Sequence, residues 1–123
     1  MILVDTSVWI DHLHTRDSHL VEELELDRVG CHPAVIEELA LGSLANRDDV
    51  MVLLGSLRRF PVLRHEEVPA LVAGRRLWGR GLSAVDAHLL GSVALVEGGV
   101  LWTRDKRLRS ACQEVGVDVL DER

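Results

Sequence analysis

The sequence lacks the features that would place a protein in a membrane or outside the cell. None of its apolar runs approaches the roughly 18 residues of a membrane span, and the longest, residues 89–96, is interrupted by Gly91 and Ser92. No basic stretch precedes the apolar residues 2–4, so no secretory signal is expected. Two cysteines are too few for a disulfide scaffold. We therefore expect a cytoplasmic protein with reduced thiols and no membrane contact.

Disorder is excluded as well, because 47% of the 123 residues are hydrophobic and supply enough apolar mass for a core. No repeat, linker or low-complexity stretch divides the chain. A chain of this length usually forms one domain, which we expect to span residues 1–123.

The formal net charge of −6 hides an uneven distribution. Residues 1–49 hold eleven acids and three bases, whereas residues 50–109 hold five acids and ten bases. An acidic protein is a poor candidate for binding nucleic acid. A basic half can nevertheless hold a phosphate backbone locally. Composition therefore leaves a nucleic-acid partner open and does not argue for one.

Short apolar strands alternate with helical segments along the chain. The apolar runs 2–4 and 100–102 predict buried strands. Weaker strands are predicted at 28–31, 61–63 and 117–120. Helices are predicted through residues 8–13, 18–26, 33–42, 46–60, 66–80, 83–97 and 104–115. This alternation predicts an α/β fold with a central, mainly parallel sheet flanked by helices.

An acid follows each of the two clearest strands. Sites in open parallel sheets form beyond the carboxyl ends of the strands, and Asp5 and Asp105 lie at those ends. Each acid also has a structural interpretation, because each could simply cap the helix that follows it. Ser83 and Asp86 likewise fit a capping box. Glu37 and Glu38 could be acids favoured by the dipole at the start of a helix.

Several carboxylates at the end of a buried sheet repel one another and lose solvation. Asp86 begins a helix that is apolar nearly all round, so this acid also lies next to buried structure. Either the pKa values of such acids rise, or a divalent cation neutralises them. Hard oxygen ligands without a Cys/His set favour Mg²⁺ or Mn²⁺ over zinc. Such a cluster suits hydrolysis of phosphodiesters.

Four segments carry these acids, in the order ILVDTSVWI (2–10), ELALG (38–42), LSAVDAHLL (82–90) and LWTRDKRL (101–108). Together they resemble the four motifs of PIN-domain ribonucleases, and specifically of the VapC toxins of bacterial toxin–antitoxin pairs. The match spans essentially the whole chain. Any one motif is weak, whereas four in the same order are specific.

The resemblance implies a PIN-like three-layer α/β fold and an endoribonuclease that uses one or two Mg²⁺ or Mn²⁺ ions. The acids that it implies as metal ligands and catalytic residues are Asp5, Glu38, Asp86 and Asp105. It selects Glu38 over Glu37, because Glu38 stands directly before the Leu of the second motif. Accessory roles are expected for Thr103, Thr6 and Ser7. Asp11 is a further candidate acid, with a solvated helix position as the alternative.

The resemblance also implies partners. RNA is the expected substrate, and a small VapB-like antitoxin is expected to insert a basic side chain into the acidic site. A homodimer through the early helices, within a larger toxin–antitoxin complex, is implied as well. The bases expected to hold RNA phosphates, or else to form a solvated helix face, are Arg75, Arg76, Arg80, Arg104, Lys106 and Arg107.

Other interpretations are less well supported by the residues. The histidines complete no zinc set, and Trp9, Trp78 and Trp102 are expected in a core or interface rather than as stacking platforms for bases. A phosphoryl-receiver domain needs adjacent acids after the first strand, whereas Asp5 is followed by Thr6. A catalytically inactive binding module on the PIN fold is the alternative of a different class.

Overall fold

The structure is a computed structural model that describes residues 1–122. Its strands in this range are β1 (Ile2–Val4), β2 (Val29–Cys31), β3 (Arg58–Arg59), β4 (Val100–Trp102) and β5 (Asp118–Val119). Its helices in this range are α1 (Thr6–His14), α2 (Ser18–Glu25), α3 (Pro33–Ala40), α4 (Arg47–Ser56), α5 (Glu67–Arg75), α6 (Ala84–Ala94) and α7 (Lys106–Val115). None of these helices is both long enough and apolar enough to span a bilayer.

The strands form one sheet in the order β3-β2-β1-β4-β5, and every neighbouring pair is parallel. Ile2 of β1 pairs with Val29 on one side and with Val100 on the other, so β1 is the central strand. Helices connect the strands, as parallel pairing requires. The predicted α/β fold with a parallel sheet flanked by helices is confirmed.

The core forms around the apolar strands and the helix that covers them. All three residues of β1 are buried, and so are Trp9 and Trp102 beside it. Most of α6 from Ala87 to Val93 is buried too, because its residues are apolar on nearly every face. The core therefore encloses the central strand β1. The carboxyl end of β1 lies at the border of this core.

The region between residues 46 and 66 differs from the prediction. Helix α4 ends at Ser56 rather than at residue 60, because Leu57 is extended. The strand predicted at 61–63 is wrong, and β3 lies at Arg58–Arg59 instead. The physical reason is Pro61, which lacks a backbone N–H for sheet pairing and favours an extended residue before it.

Three other predicted helices are also shorter in the structure. Helix α5 ends at Arg75 rather than at residue 80, since Arg76 adopts a left-handed conformation. Helices α3 and α6 end at Ala40 and Ala94, before the glycines that were expected to stop them. Helices often end one or more residues before the glycine that follows them, because their last turns fray.

Gly30 of β2 provides a test of how tightly the sheet packs. A Cβ added there would lie 2.6 Å from Cε1 of Phe60 and 2.8 Å from Sδ of Met1. We expect Gly30→Ala to lower the free energy of unfolding by about 1–3 kcal/mol through overpacking. Urea unfolding measures this, with Gly55→Ala on α4 as the control because its Cβ meets nothing within 4 Å. Equal stability of the two variants would contradict the packing described for β2.

Candidate functional site

Asp5 is the buried acid at the carboxyl end of the central strand, with only 8% of its surface exposed. Its backbone N–H donates to the carbonyl of Trp102 at 2.9 Å, which fixes it beside the end of β4. Its Oδ1 accepts a hydrogen bond from the Thr6 N–H at 2.7 Å and thereby caps α1. Its Oδ2 accepts a 2.7 Å hydrogen bond from the Thr103 hydroxyl and a longer 3.5 Å contact from the Ser7 hydroxyl.

The electrostatic environment of Asp5 is unfavourable for its charge. Burial is the largest influence and raises the pKa of the Asp5 carboxyl, while the hydrogen bonds from Thr103 and Thr6 lower it. The negative charges of Asp86 and Glu38 raise the pKa further. Two of the other predicted acids thus act on Asp5, although all three lie far apart in the sequence.

Glu38 reaches this region from helix α3. Its Oε1 accepts a hydrogen bond from the Thr6 hydroxyl at 2.6 Å. Because α3 begins at Pro33, both Glu37 and Glu38 lie beyond its first turn. The interpretation of these acids as first-turn residues favoured by the helix dipole is therefore wrong. Glu37 instead lines a cavity that also contains His32.

Asp86 and Asp105 both adopt the capping positions that the sequence allowed. Asp86 Oδ2 accepts from the Ser83 N–H at 2.9 Å, which completes the capping box of α6. Asp105 Oδ1 accepts from the N–H groups of Arg107 and Leu108 and caps α7. Within residues 1–122, these backbone bonds use one oxygen of each carboxylate. Capping and binding of a cation are therefore compatible at both residues.

Thr103 connects two of the acids and is completely buried. Its hydroxyl donates to Asp5 Oδ2 and accepts from the Asp105 N–H at 3.1 Å. The loop after β4 is thereby tied to the end of β1. The structure thus places the three hydroxyl residues expected as accessories, Thr103, Thr6 and Ser7, against Asp5 or Glu38.

The donor chemistry of this edge fits a hard divalent cation. It offers carboxylate and hydroxyl oxygens. Burial first, and then the charges of Asp86 and Glu38, raise the pKa of Asp5, and a bound cation would compensate the negative charge. In residues 1–122, no three or more His, Cys, Asp or Glu side chains are arranged as a ready-made metal-binding group. A bound cation would therefore require the side chains to move, and the exposed Glu38 and Asp105 have room to do so.

Arg104 and Asp11 are partners in an ion-pair network of the chain itself. Arg104 donates to Asp11 at 2.6 Å, to Asp17 at 2.8 Å and to Glu122 at 2.9 Å. These bonds raise the pKa of the Arg104 guanidinium above its ordinary value. The three acceptors belong to α1, the start of α2 and the C-terminal residues, so the network ties these elements together. A role of Arg104 in holding RNA, and of Asp11 beside the acidic site, stays a prediction.

The other predicted bases separate into two groups. Arg80, Lys106 and Arg107 line one cavity together with Ser110, although they come from two parts of the sequence. Arg80 also forms a 2.7 Å ion pair with Glu114. Arg75 and Arg76, the remaining predicted bases, lie exposed at the end of α5.

Two buried groups near the acids could not be assigned from the sequence. Cys112 is fully buried, and burial followed by the negative charge of Asp86 raises the pKa of its thiol to about 12. Burial lowers the pKa of His32 to about 4, so its imidazole is neutral at pH 7. His32 Nδ1 accepts a hydrogen bond from the Ala34 N–H, which places the proton on Nε2. Only the fold reveals these surroundings, because no local pattern marks them.

The model of the PIN domain family matches residues 2–114. The chain therefore belongs to the PIN domain family, and the family that the four motifs resemble is confirmed. Two proteins named Ribonuclease VapC32, from the CDC 1551 / Oshkosh and ATCC 25618 / H37Rv strains of Mycobacterium tuberculosis, are each 66% identical to it over 122 residues. Each match covers 99% of this chain and 98% of the relative.

Solved structures share the fold at lower identity. The crystal structure of PAE2754 from Pyrobaculum aerophilum has a TM-score of 0.61 and 21% identity, covering 96% of this chain and 89% of that one. The crystal structure of FitAcB from Neisseria gonorrhoeae has a TM-score of 0.59 and 22% identity, covering 98% and 97%. These similarities support the PIN-like fold and leave the phosphoryl-receiver interpretation without support.

The electrostatic strain at Asp5 predicts a pH-dependent gain in stability on its neutralisation. A raised pKa in the folded chain means that the Asp5 contribution to stability is greatest below its ordinary pKa of 3.8 and is lost as pH rises through the folded pKa. We therefore expect Asp5→Asn to raise the melting temperature at pH 7 in the presence of a chelator. The gain should shrink as the pH approaches 3.8, because Asp5 of the unsubstituted protein is then protonated.

Calorimetry at several pH values measures this difference. Asp105→Asn is the matched control, because Asp105 is exposed and asparagine caps a helix as well as aspartate does. Its melting temperature should stay close to that of the unsubstituted protein. A lower melting temperature for Asp5→Asn at pH 7 would contradict the electrostatics described for the site.

Proposed function

We propose that this protein is a metal-dependent endoribonuclease that acts in the cytoplasm as the toxin of a toxin–antitoxin pair. The observation that carries the proposal is the convergence of Asp86 and Glu38 on the buried Asp5 at the carboxyl edge of the sheet. The relatives named Ribonuclease VapC32 support the same activity at 66% identity. Both cysteines are unpaired, which suits a reducing compartment.

The four acids of the motifs are the proposed ligands of one or two Mg²⁺ or Mn²⁺ ions, and they are Asp5, Glu38, Asp86 and Asp105. When bound, such an ion activates water and neutralises charge on the phosphate. Thr103 would keep Oδ2 of Asp5 oriented toward the shared space. Thr6 would do the same for Glu38, since its hydroxyl bonds to Oε1 of that side chain.

The proposed reaction is hydrolysis of an RNA phosphodiester. The oxygen of water bonds to phosphorus, and the bond from phosphorus to the 3′-oxygen of the preceding nucleotide breaks. That oxygen takes up a proton and leaves as a 3′-hydroxyl, while the other product carries a 5′-phosphate. A cyclic phosphate would not form, because water rather than the ribose 2′-hydroxyl is the nucleophile.

A VapB-like antitoxin is the proposed regulatory partner, and it would place a basic side chain among the acids. The charge of the first 49 residues complements a basic segment of such a partner. A homodimer through the early helices is proposed as well. Ile10 and Leu13 support it, because they leave 41% and 37% of their surfaces exposed on α1.

Cleavage of RNA by the purified protein tests the proposed activity. We expect cleavage in Mg²⁺, its loss in chelator and its absence in Asp5→Asn. Thr103→Val should reduce the rate by about 10- to 100-fold, because loss of a residue that orients a metal ligand typically has effects of this size. Mapping of the RNA ends by sequencing should show 5′-phosphates.

Thr15→Val is the matched control for the threonine substitution, because Thr15 is exposed at the end of α1. Its rate should equal that of the unsubstituted protein. Unchanged cleavage by Asp5→Asn, or cleavage that persists in chelator, would refute the metal-dependent assignment.

A further inference from the structure

Trp78 is exposed, unlike the other two tryptophans. It leaves 63% of its surface open, whereas Trp9 and Trp102 leave 1% each. The expectation of a core or interface position is confirmed for Trp9 and Trp102 as core residues, whereas Trp78 lies outside the core. Burial of Leu77 holds the segment to the body of the protein, and Gly79 turns the chain with a φ of +71°.

The Trp78 ring borders an apolar cavity between α5 and the start of α6. Val68 and Val72 line it from α5, and Leu82 and Ser83 line it from the segment that leads into α6. Ser83 caps the helix that carries Asp86. The cavity therefore opens beside one of the acids proposed to hold the metal ion.

A basic cavity also borders this segment. Arg80, Lys106 and Arg107 line it, and Lys106 directly follows Asp105. Gly81 is the point of contact, because a Cβ added there would lie 2.7 Å from Nη1 of Arg107. Residues 78–83 thus contribute to both an apolar, aromatic cavity and a cationic one.

This pairing matches the chemistry of single-stranded RNA. Proteins that bind single strands combine a basic groove for the backbone with aromatic side chains on which the bases stack. The bases nearest to Trp78 in the sequence, Arg75, Arg76 and Arg80, favour an anionic partner over a basic protein segment. A base within a duplex is already stacked between its neighbours, so only an unpaired base could occupy the cavity.

We infer that Trp78 stacks on an unpaired base of the RNA while Lys106 and Arg107, which line the basic cavity, hold a neighbouring phosphate. The inference rests on the proposed function and defines its substrate as single-stranded RNA at the point of cleavage. The RNA strand would pass over residues 78–83. The phosphodiester to be cut would then lie between the N-termini of α6 and α7, where Asp86 and Asp105 are placed. Trp78 would set affinity for the strand rather than take part in the chemistry.

Binding of a single-stranded RNA oligonucleotide to the Asp5→Asn protein tests the inference without cleavage. RNA should quench the tryptophan fluorescence and protect it from acrylamide, because Trp78 is the exposed tryptophan. In the Asp5→Asn protein, the further substitution Trp78→Ala should remove both fluorescence effects. It should also weaken RNA binding by about 5- to 150-fold, which is the affinity that stacking of one base on an aromatic side chain contributes. Trp78→Phe should restore most of the affinity. A duplex of the same sequence should bind poorly.

The basic cavity is tested by the dependence of the same binding on salt. Arg107→Gln should make the slope of log affinity against log salt shallower by about 0.7, which corresponds to one lost contact with a single-strand phosphate. Arg64→Gln is the control, because Arg64 pairs with Glu66 and Glu67 at an exposed position away from the cavity. Its salt slope should not change.

Equal RNA affinity of the Trp78→Ala and Trp78→Phe proteins would overturn the inference. A shift of Trp78→Ala from dimer to monomer in sedimentation, with RNA binding unchanged, would also overturn it and would make Trp78 a contact between copies of the chain. Failure of the proposed function would give a different result from failure of this inference. RNA would then still bind through Trp78, but the unsubstituted protein would not cleave it in Mg²⁺.

Discussion

The hydrogen bond between the Thr103 hydroxyl and the Asp5 carboxylate is the contact on which the site depends. It joins the ends of the neighbouring parallel strands β1 and β4. It also holds the carboxylate of Asp5, a residue that is only 8% exposed to solvent. Burial alone would favour the protonated acid, and the bonds from Thr103 and Thr6 oppose that tendency. Asp86 and Glu38 then add negative charge around a carboxylate that is already held in place.

This arrangement follows from the parallel sheet. Parallel strands deliver their carboxyl ends to one edge, so Asp5 and Asp105 are brought together by topology rather than by sequence proximity. The same fold lets the acids cap helices and serve a site at once. Asp86 completes a capping box with one oxygen, and Asp105 caps α7 with one oxygen. Structural and functional interpretations of these acids are therefore complementary.

The sequence predicted those parts of the structure that depend on local patterns. Apolar runs gave β1 and β4, and the spacing of Ser83 and Asp86 gave the capping box. Resemblance to a family was needed to choose Glu38 over Glu37, because helical periodicity treats the two alike. The hydrogen bond from Thr6 to Glu38 is consistent with that choice.

Contacts between distant residues could not be predicted in this way. The ion pairs of Arg104 are one example, because its partners Asp11 and Asp17 lie 93 and 87 positions away. The sequence left Trp78 in a core or an interface, because no apolar run surrounds it as one surrounds Trp9 and Trp102. The exposure of Trp78 depends on where α5 ends and α6 begins. The sequence pattern predicted that α5 continues to residue 80, whereas it ends at Arg75 and leaves Trp78 in the connecting segment.

The most direct test of the central claim is a crystal structure of the protein soaked in Mn²⁺, with anomalous scattering measured to locate the ion. The account predicts an anomalous peak in contact with carboxylate oxygens of Asp5 and Asp86, with Glu38 and Asp105 turned toward it. A crystal in which Mn²⁺ binds elsewhere, with Asp5 distant from the other three acids, would contradict it.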